Sequence, residues 1–224
     1  MTTDAFSASA GKPVLDALIA GIHGNAARLS QIDGATGDGD HGINMDKGFL
    51  RAGDLLGQEP FDLAHGLSVL GKVLVTEIGG AMGPLYGSFY LDMAGTIGEA
   101  EEIDGPLFDK MLLAGIAAIQ DLGEAKPGDK TLLDSLVPAQ AAFSQALGRG
   151  ETFAAALGLM ATAAEQGSEA TRDMVARIGR ASRLGERSRG FLDAGSVSCA
   201  VQLRAMADSM ATLLGSEAAT GGGG

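Results

Sequence analysis

The apolar residues of this chain recur every three or four positions along most of its length. The first such run lies between Pro13 and Ile32 and comprises Val14, Leu15, Leu18, Ile19, Ile22 and Leu29. This spacing is typical of a helix that buries one face. The same spacing predicts further helices over residues 41–57, 61–78, 84–99, 106–122, 131–148, 152–176 and 196–215. No convincing strand pattern occurs, so we predict an all-α fold of eight helices.

The length and the chain ends indicate one domain between two flexible segments. A chain of 224 residues is within the size that a single hydrophobic core supports. We expect a flexible N-terminus over residues 1–11, a helical domain over residues 12–216 and a flexible Gly-rich tail over residues 217–224. The N-terminus lacks the pattern of a signal peptide, and no run of about 18 apolar residues predicts a membrane span. We therefore expect a cytoplasmic protein.

The composition narrows the choice of partners. The apolar share is 46%, aromatic residues make up 4% and Trp is absent, a mixture that favours closely packed helices over sheets. The net charge of -12 argues against nucleic acid and anionic membranes as general partners. Cys199 is the only cysteine, so no disulfide can form within the chain, and we expect it to be a buried small apolar residue.

Three carboxylates lie close together between the first two predicted helices, in a segment that we call the acidic turn (residues 33–42). Asp33, Asp38 and Asp40 alternate with glycines that allow a tight turn. Unpaired carboxylates repel each other, whereas together they offer the oxygen ligands that Mg²⁺ prefers. Capping of the following helix is an alternative for one of them, but it does not explain all three. A Rossmann or EF-hand interpretation fails, because no strand precedes the glycines and Phe49 stands where an EF-hand needs Glu.

A second break between helices, the glycine turn (residues 79–87), contains Gly79, Gly80, Gly83 and Gly87. At the start of a helix, such small residues let an anion approach free backbone N–H groups, helped by the helix dipole. Close packing of two helices explains the same glycines equally well. The break at residues 123–131 resembles a phosphate-binding loop by letters, but it lacks the preceding strand, and we interpret it as a plain turn before a helix.

A third break, the arginine segment (residues 172–189), is unusually basic for so acidic a chain. It holds six of the sixteen Lys and Arg residues, namely Arg172, Arg177, Arg180, Arg183, Arg187 and Arg189. Guanidinium groups make paired hydrogen bonds to phosphate, and one or two of these side chains could neutralise a nucleotide. We expect at least half of the six to pair with surface acids instead. Metal-binding oxygens, anion-binding backbone and arginines together favour phosphoryl transfer.

Four ordered blocks of residues resemble the nucleotide-binding L subunit of dihydroxyacetone kinase over nearly the whole chain. The blocks are Ile32–Asn44, Gly79–Gly87, Pro127–Thr131 and Gly179–Arg187, the last followed by Asp193-Ala194-Gly195. The resemblance implies a barrel of eight antiparallel helices that holds ADP or ATP at one end through two Mg²⁺ ions. Relative to the family, Met82 replaces a usual Ser and Ala194 a usual Pro, which removes a hydroxyl contact and a rigid residue.

The resemblance also assigns residues to the site. It implies Asp33, Asp38 and Asp40 as the metal ligands and no further catalytic residue in this chain. The residues that it places at the nucleotide are His41, Gly42, Ile43, Asn44, Ala81, Met82, Gly123, Leu132, Arg180, Asp193, Ala194 and Gly195. From the residues alone, we would interpret His41 as a turn or core histidine.

The resemblance further implies partners. In this family the ketone is bound by a separate K subunit, so the chain would be a kinase subunit that phosphorylates dihydroxyacetone only together with that partner. A phosphohistidine-bearing phosphotransferase subunit is a second implied partner, which would recharge bound ADP in place; otherwise ATP would exchange from solution. A longer ketose such as erythrulose is an alternative substrate, and a nucleotide-loaded module that contacts a transcription regulator is an alternative function. A helical scaffold without nucleotide and a homodimer also stay open.

Overall fold

The computed structural model describes the backbone of residues 4–221 and the side chains of residues 4–216. Within this part of the chain the secondary structure is almost entirely helical, which confirms the all-α prediction. The α-helices are α1 (Gly11–Gly34), α2 (His41–Leu56), α3 (Leu63–Glu77), α4 (Met82–Ile97), α5 (Gly105–Leu122), α6 (Leu133–Gly148), α7 (Phe153–Ala170) and α8 (Ala194–Gly221). Two 3₁₀ helices, Thr171–Asp173 and Arg180–Ser188, lie in the long connection between α7 and α8.

Two short strands differ from the prediction. Strand β1 (Ala5–Ser7) pairs antiparallel with β2 (Glu102–Asp104), and the paired residues Phe6 and Ile103 are both fully buried. Three residues are too few to show an alternating pattern, which is why the periodicity did not indicate them. Residues 5–7 of the expected flexible N-terminus are thus packed against the domain. At the other end, α8 continues to Gly221, past the expected boundary at residue 216; residues 1–3 and 222–224 lie outside the described residues.

The helices form a closed ring. Each helix packs against the next in the chain, and α8 packs against α1. Most connections are too short to return along the length of a helix, so neighbouring helices run antiparallel. The connections that follow α1, α3, α5 and α7 therefore lie at one end of the ring. These are the connections that contain the acidic turn, the start of the glycine turn, residues 123–132 and the arginine segment.

All eight helices contribute apolar side chains to one core. Phe108, Phe143 and Phe153 pack against one another with ring centroids 5.3 to 5.8 Å apart. Cys199 is buried as predicted, and burial raises the pKa of its thiol to about 12. No helix within residues 4–221 is long and apolar enough to span a membrane.

Glycines bring α3 and α4 unusually close together. A Cβ atom added to Gly87 would meet the side chain of Val75 and would lie 2.9 Å from the carbonyl oxygen of Gly71. A Cβ added to Gly71 would in turn lie 2.8 Å from the carbonyl oxygen of Gly87. The two glycines therefore face each other, and backbone takes the place that side chains would otherwise fill. The helix-packing interpretation of the glycine turn is correct for Gly87.

We predict that Gly87→Ala lowers the free energy of unfolding by about 1–3 kcal/mol, because the methyl group overpacks the contact between α3 and α4. Gly95→Ala on the same helix is the matched control, since a Cβ there meets nothing within 4 Å. The control should be neutral or stabilising by up to about 1 kcal/mol, because Ala favours a helix over Gly. Urea denaturation of both variants provides the measurement, and equal effects would contradict the close packing.

Candidate functional site

The three carboxylates of the acidic turn converge at one end of the ring. Asp33 lies in the last turn of α1, and Asp40 directly precedes α2. One oxygen atom from each of Asp33, Asp38 and Asp40 lies within 4.8 Å of the other two. A Cβ on Gly37 would approach the Asp33 Oδ1 atom to 2.6 Å, so the turn needs a residue without a side chain there. The cluster predicted from spacing is thus present as a spatial cluster.

Helix capping does not account for this cluster. Asp40 stands at the N-cap of α2 but its side chain makes no capping hydrogen bond. Asp33 instead accepts hydrogen bonds at Oδ2 from the backbone N–H groups of Gly39 (2.8 Å) and His41 (3.4 Å). No capping hydrogen bond of Asp38 occurs within the described residues. The alternative that Asp38 or Asp40 caps α2 is therefore wrong, and capping leaves the clustering of all three carboxylates unexplained.

Arg180 places a positive charge against the cluster. Its Nη1 atom contacts the Asp38 carboxylate and lies 3.7 Å from Asp40 Oδ1. Partial desolvation would raise the pKa of Asp38, but the hydrogen bond shared with Asp40 and the charge of Arg180 outweigh it and lower that pKa. Desolvation raises the pKa of Asp40, and the neighbouring Asp38 adds to this rise. The cluster thus holds more negative charge than one guanidinium neutralises.

The imidazole of His41 points into the core. Only 5% of the residue is exposed, and its Nε2 atom lies 2.9 Å from the Ser198 hydroxyl. The Tyr86 hydroxyl lies 2.8 Å from the same Ser198 oxygen and donates to the carbonyl of Gly195. Burial lowers the pKa of His41 to about 4, so the ring is neutral near pH 7. The side chain is therefore a core histidine, as the residues alone indicated, and it joins the starts of α2, α4 and α8.

The other residues at the start of α2 differ in exposure. Gly42 is buried because α2 passes close to α1, and a Cβ there would lie 2.7 Å from the Ser30 hydroxyl. Ile43 is 66% exposed. Asn44 is half-buried, and its backbone N–H donates to the carbonyl of Asp40. Of this group, Ile43 and Asn44 present side chains that a ligand at this end of the ring can reach.

The glycine turn combines both functions that its composition indicated. Gly79, Gly80 and Ala81 are exposed directly before α4, and a Cβ on either glycine would meet nothing within 4 Å. Gly83 is buried, and a Cβ there would lie 2.7 Å from the carbonyl oxygen of Leu74. Met82 is half-buried against the core. The anion-site interpretation therefore fits the exposed backbone before α4, and the helix-packing interpretation fits the buried Gly83.

The start of α8 lies beside the start of α6. A Cβ on Gly195 would lie 3.6 Å from the backbone nitrogen of Leu132. Asp193 caps α8, because its Oδ2 atom accepts a hydrogen bond from the Ser196 N–H at 2.6 Å. Burial raises the pKa of Asp193 to about 7. Ala194 is buried. The structure thus brings together Leu132 and Asp193–Gly195, as the resemblance implied.

Gly123 lies at the same end of the ring. It ends α5, and a Cβ there would lie 3.9 Å from the side chain of Leu85 in α4. Its backbone N–H is satisfied by the carbonyl of Ile119 at 3.1 Å. Gly123 is therefore placed near the start of α4, the helix that follows the open backbone of the glycine turn.

Four of the six arginines lie against acids, but within the described residues only Arg172 and Arg189 pair with exposed acids outside the acidic turn, fewer than the expected half. Arg172 pairs with Glu169 and Arg189 with Glu186, while Arg177 lies 3.9 Å from Asp129 and Arg180 contacts the acidic turn. Arg183 and Arg187 are exposed and make no ion pair within the described residues. Of the six, only Arg180 reaches the carboxylate cluster in this part of the chain.

Lys130 and Asp134 were not predicted from the sequence to have a role, because their loop was interpreted as a plain turn. Both side chains are buried. Asp134 accepts hydrogen bonds from the backbone N–H groups of Gly128 (2.5 Å) and Thr131 (2.7 Å). Lys130 donates to three carbonyls of the connection between α7 and α8. The block Pro127–Thr131 was a signal that this loop mattered, but the partners of Lys130 are distant in the sequence.

A groove of about 540 Å³ lies elsewhere, along the flank between α1, α7 and α8. Its charged side chains largely neutralise each other, since Arg204 pairs with Glu165 at 3.0 Å and with Asp208 at 3.6 Å. The converging carboxylates and the open backbone are at the end of the ring. We therefore place the candidate site there and not in this groove.

The fold and this site define a helical ring with clustered acids and an arginine at one end, and comparison with known proteins identifies its family. Residues 35–208 match the family model described as DAK2 domain, so the chain belongs to the DAK2 domain family. A relative from Listeria innocua, "PEP-dependent dihydroxyacetone kinase 1, ADP-binding subunit DhaL", is 37% identical over 83% of this chain and 88% of its own length.

Two longer proteins also match. The L-erythrulose kinase of Pectobacterium atrosepticum is 32% identical over 81% of this chain, and the match covers 31% of that protein. The crystal structure of the dihydroxyacetone kinase from C. freundii in complex with AMP-PNP and Mg²⁺ is similar with a TM-score of 0.66 and 23% identity. That match covers 88% of this chain and 33% of the crystallised one, and it supports the fold.

We predict that Asp193→Asn weakens the pH dependence of stability. Burial raises the folded-state pKa from 3.8 to about 7, so between these values the folded state binds the proton more tightly than the unfolded state. The contribution of Asp193 to wild-type stability is therefore greatest below this window and is lost as the pH rises through it. Asn keeps a capping oxygen without the charge. The stability of the Asp193→Asn variant relative to the wild type should therefore rise by about 2–4 kcal/mol as the pH increases across the window. Urea denaturation at both ends of the window measures this, and parallel pH profiles would contradict the assignment.

Proposed function

We propose that this chain is the nucleotide-binding subunit of a dihydroxyacetone kinase. It would hold ADP or ATP at the acidic end of the ring and pass the terminal phosphoryl group to dihydroxyacetone on a separate K subunit. The observation that carries this proposal is the convergence of Asp33, Asp38 and Asp40 to within 4.8 Å at one end of the ring. The likeness to a protein named as an ADP-binding subunit, over 88% of that protein's length, supports it.

The donor set of the acidic turn fits Mg²⁺. Asp33, Asp38 and Asp40 offer carboxylate oxygens that are partly open to solvent, and Arg180 already lies against two of them as a cation. Hard oxygen ligands with room for water and phosphate suit this ion, and two ions are the number that the family resemblance implies. When bound, Mg²⁺ would neutralise charge on the phosphate oxygens. The similar kinase from C. freundii was crystallised in complex with the same ion and AMP-PNP.

The exposed backbone of the glycine turn would bind phosphate. Gly79, Gly80 and Ala81 directly precede the first turn of α4, where N–H groups have no partner within the helix and the helix dipole favours an anion. The half-buried Met82 would add an apolar contact in place of a hydroxyl. Arg180 would exchange its contact with Asp38 for a phosphate oxygen, because guanidinium pairs with either group.

The remaining predicted residues would form the walls of the nucleotide pocket. Ile43 and Asn44 would contribute their side chains from α2, and the backbone of His41 and Gly42 would border the acidic turn. Gly123, Leu132 and Asp193–Gly195 would close the pocket from α5, α6 and α8. The His41 imidazole would support this arrangement from within the core, because it is neutral and bonded to Ser198.

The end of the ring that holds this site would dock against the K subunit. The ketone would be held by that partner, and this chain would present the phosphoryl group. Where a phosphohistidine-bearing phosphotransferase subunit is present, bound ADP would be rephosphorylated in place. The name of the Listeria relative includes dependence on PEP, which favours this route over exchange of ATP.

A longer ketose such as erythrulose is the second candidate substrate. The observation in its favour is the match to an L-erythrulose kinase at 32% identity. Because the ketone would be bound by the partner, the same nucleotide-binding chain would serve either substrate. Assays of this chain together with its own K subunit, supplied with dihydroxyacetone or with erythrulose, distinguish the two.

We predict that Asp38→Ala abolishes phosphoryl transfer and weakens Mg²⁺-dependent ADP binding by at least about 100-fold, because a metal ligand is lost. Isothermal titration with ADP and Mg²⁺, and an assay with a dihydroxyacetone-loaded K subunit, provide the two measurements. Asp54→Ala is the control, since Asp54 is an exposed carboxylate of α2 away from the cluster. Equal behaviour of the two variants would count against the metal site.

We also predict that the purified protein retains about one equivalent of ADP until Mg²⁺ is chelated. Mass spectrometry and phosphorus NMR after acid release identify the nucleotide and its ratio to protein. Retained ADP supports recharging in place by a phosphotransferase partner. An empty protein that binds ATP reversibly supports exchange from solution, and a protein that binds neither nucleotide would overturn the proposed function.

A further inference from the structure

Lys130 is buried and bonded only to backbone carbonyls. The residue is 3% exposed, and its Nζ atom donates to the carbonyl oxygens of Met174 (3.2 Å), Ser188 (2.5 Å) and Phe191 (2.7 Å). An ammonium group has three N–H donors, so these three acceptors satisfy it completely. No carboxylate forms an ion pair with it within the described residues. The buried Asp193 acts on it electrostatically without closing an ion pair. Burial of a charge that is only partly compensated is costly, which indicates that this position has a structural role.

The three carbonyls lie at both ends of one exposed stretch of chain. Met174 follows the first 3₁₀ helix, Ser188 ends the second, and Phe191 lies just before the start of α8. A single side chain therefore ties the beginning of this stretch to its end. Arg180 lies between the tied points and contacts the acidic turn on the far side. The stretch crosses the end of the ring as a strap held by Lys130.

The backbone at Lys130 is strained, and its neighbours hold the strain in place. Lys130 has a φ of 65°, the one positive value among non-glycine residues that the structure describes. Such a conformation is unfavourable for a residue with a side chain and persists only where the surroundings impose it. The Asp134 carboxylate imposes it by accepting the N–H groups of Gly128 and Thr131 on either side. The loop thus directs the side chain of Lys130 towards the strap.

Other contacts also hold the strap. Ser188 is buried, and its hydroxyl bonds the Ala176 N–H and the Gly185 carbonyl, both within the strap itself. The backbone N–H of Arg177 donates to the carbonyl of Asp129, the residue before Lys130. These bonds give the strap its shape and attach it to the same loop. The two ends are also joined directly, since the Gly190 N–H donates to the Arg172 carbonyl at 2.8 Å and the Arg189 guanidinium donates to the Asp173 carbonyl. Lys130 is a side chain from outside the strap that bonds to both of its ends.

We propose that Lys130 is a positioning residue, which holds the strap between residues 174 and 191 so that Arg180 faces the acidic turn. Lys130 and Arg180 form no hydrogen bond or ion pair with each other in the described chain, so any influence passes through the backbone of the strap. The consequence for nucleotide binding rests on the proposed function. The attachment of the strap by Lys130 does not rest on the proposed function, and it can be measured in the ligand-free protein.

Hydrogen exchange measures the tie directly. Lys130→Met keeps the length of the side chain and removes its donors, so amides of residues 174–191 should exchange roughly tenfold faster than in the wild type. Lys126→Met is the matched control, because Lys126 is an exposed lysine of the same loop. Lys130→Arg keeps charge and donors and should restore part of the protection. The Lys130→Arg variant also provides a test if Lys130→Met unfolds. Amide exchange that is faster than in the wild type and confined to the strap would then still show that Lys130 ties the strap.

A double-mutant cycle tests whether Lys130 acts through Arg180. In the wild-type background, Arg180→Ala should weaken Mg²⁺-dependent ADP binding roughly tenfold, because a phosphate contact is lost. In the Lys130→Met background, the same substitution should have little further effect, because Arg180 is already misplaced. A purely structural role of Lys130 would lower stability and leave the effect of Arg180→Ala unchanged.

The outcomes separate the two proposals. The positioning role would be overturned by additive effects in the double-mutant cycle. It would also be overturned if the amides of residues 174–191 exchanged in Lys130→Met at the same rate as in the wild type. A wild-type protein that binds no nucleotide would overturn the proposed function and the consequence drawn from it. Non-additive effects together with faster exchange confined to the strap would support the inference.

Discussion

The buried hydrogen bonds among His41, Tyr86 and Ser198 connect the three helix starts on which the candidate site depends. His41 begins α2, while Tyr86 and Ser198 are the fifth residues of α4 and α8. Because burial lowers the pKa of His41 to about 4, the network is uncharged near neutral pH. Such a network is stable only if its polar atoms are paired, and no unpaired buried side-chain atom occurs among the described residues. The network thereby links α2, α4 and α8 at this end of the ring.

At this end of the ring, the acidic turn concentrates negative charge, which the positive side chains of the protein balance only in part. The guanidinium of Arg180 contacts two of the three carboxylates, those of Asp38 and Asp40, and the pKa of Asp40 is raised by desolvation and by its neighbour Asp38. A charge excess of this kind is relieved by a metal ion, which also attracts the phosphates of a nucleotide. An acidic protein with a net charge of -12 can bind an anion in this way. In the proposed function, the arginine and the open backbone of the glycine turn would act on the same phosphates.

Some features were ambiguous because one residue type serves two purposes. A helix contact and an anion site both need residues without side chains, so composition alone gave the glycine turn two equal interpretations. The structure separates them: Gly79 and Gly80 are exposed, whereas Gly83 and Gly87 pack α4 against α3. The strand at Ala5–Ser7 was missed for another reason. It is too short for an alternating pattern, and it exists because Phe6 and Ile103 pair across the chain.

The sequence by itself determined the eight helices and the acidic turn, because helical period and the spacing of Asp33, Asp38 and Asp40 are local properties of the chain. Only the tertiary structure decided what those elements do together. Closure of the ring brings His41 to Ser198 across 157 positions and Lys130 to Phe191 across 61. It also directs the His41 imidazole into the core and sets Arg180 against the carboxylates. Contacts over such separations depend on which helix ends meet, and that is a consequence of packing which no local pattern encodes.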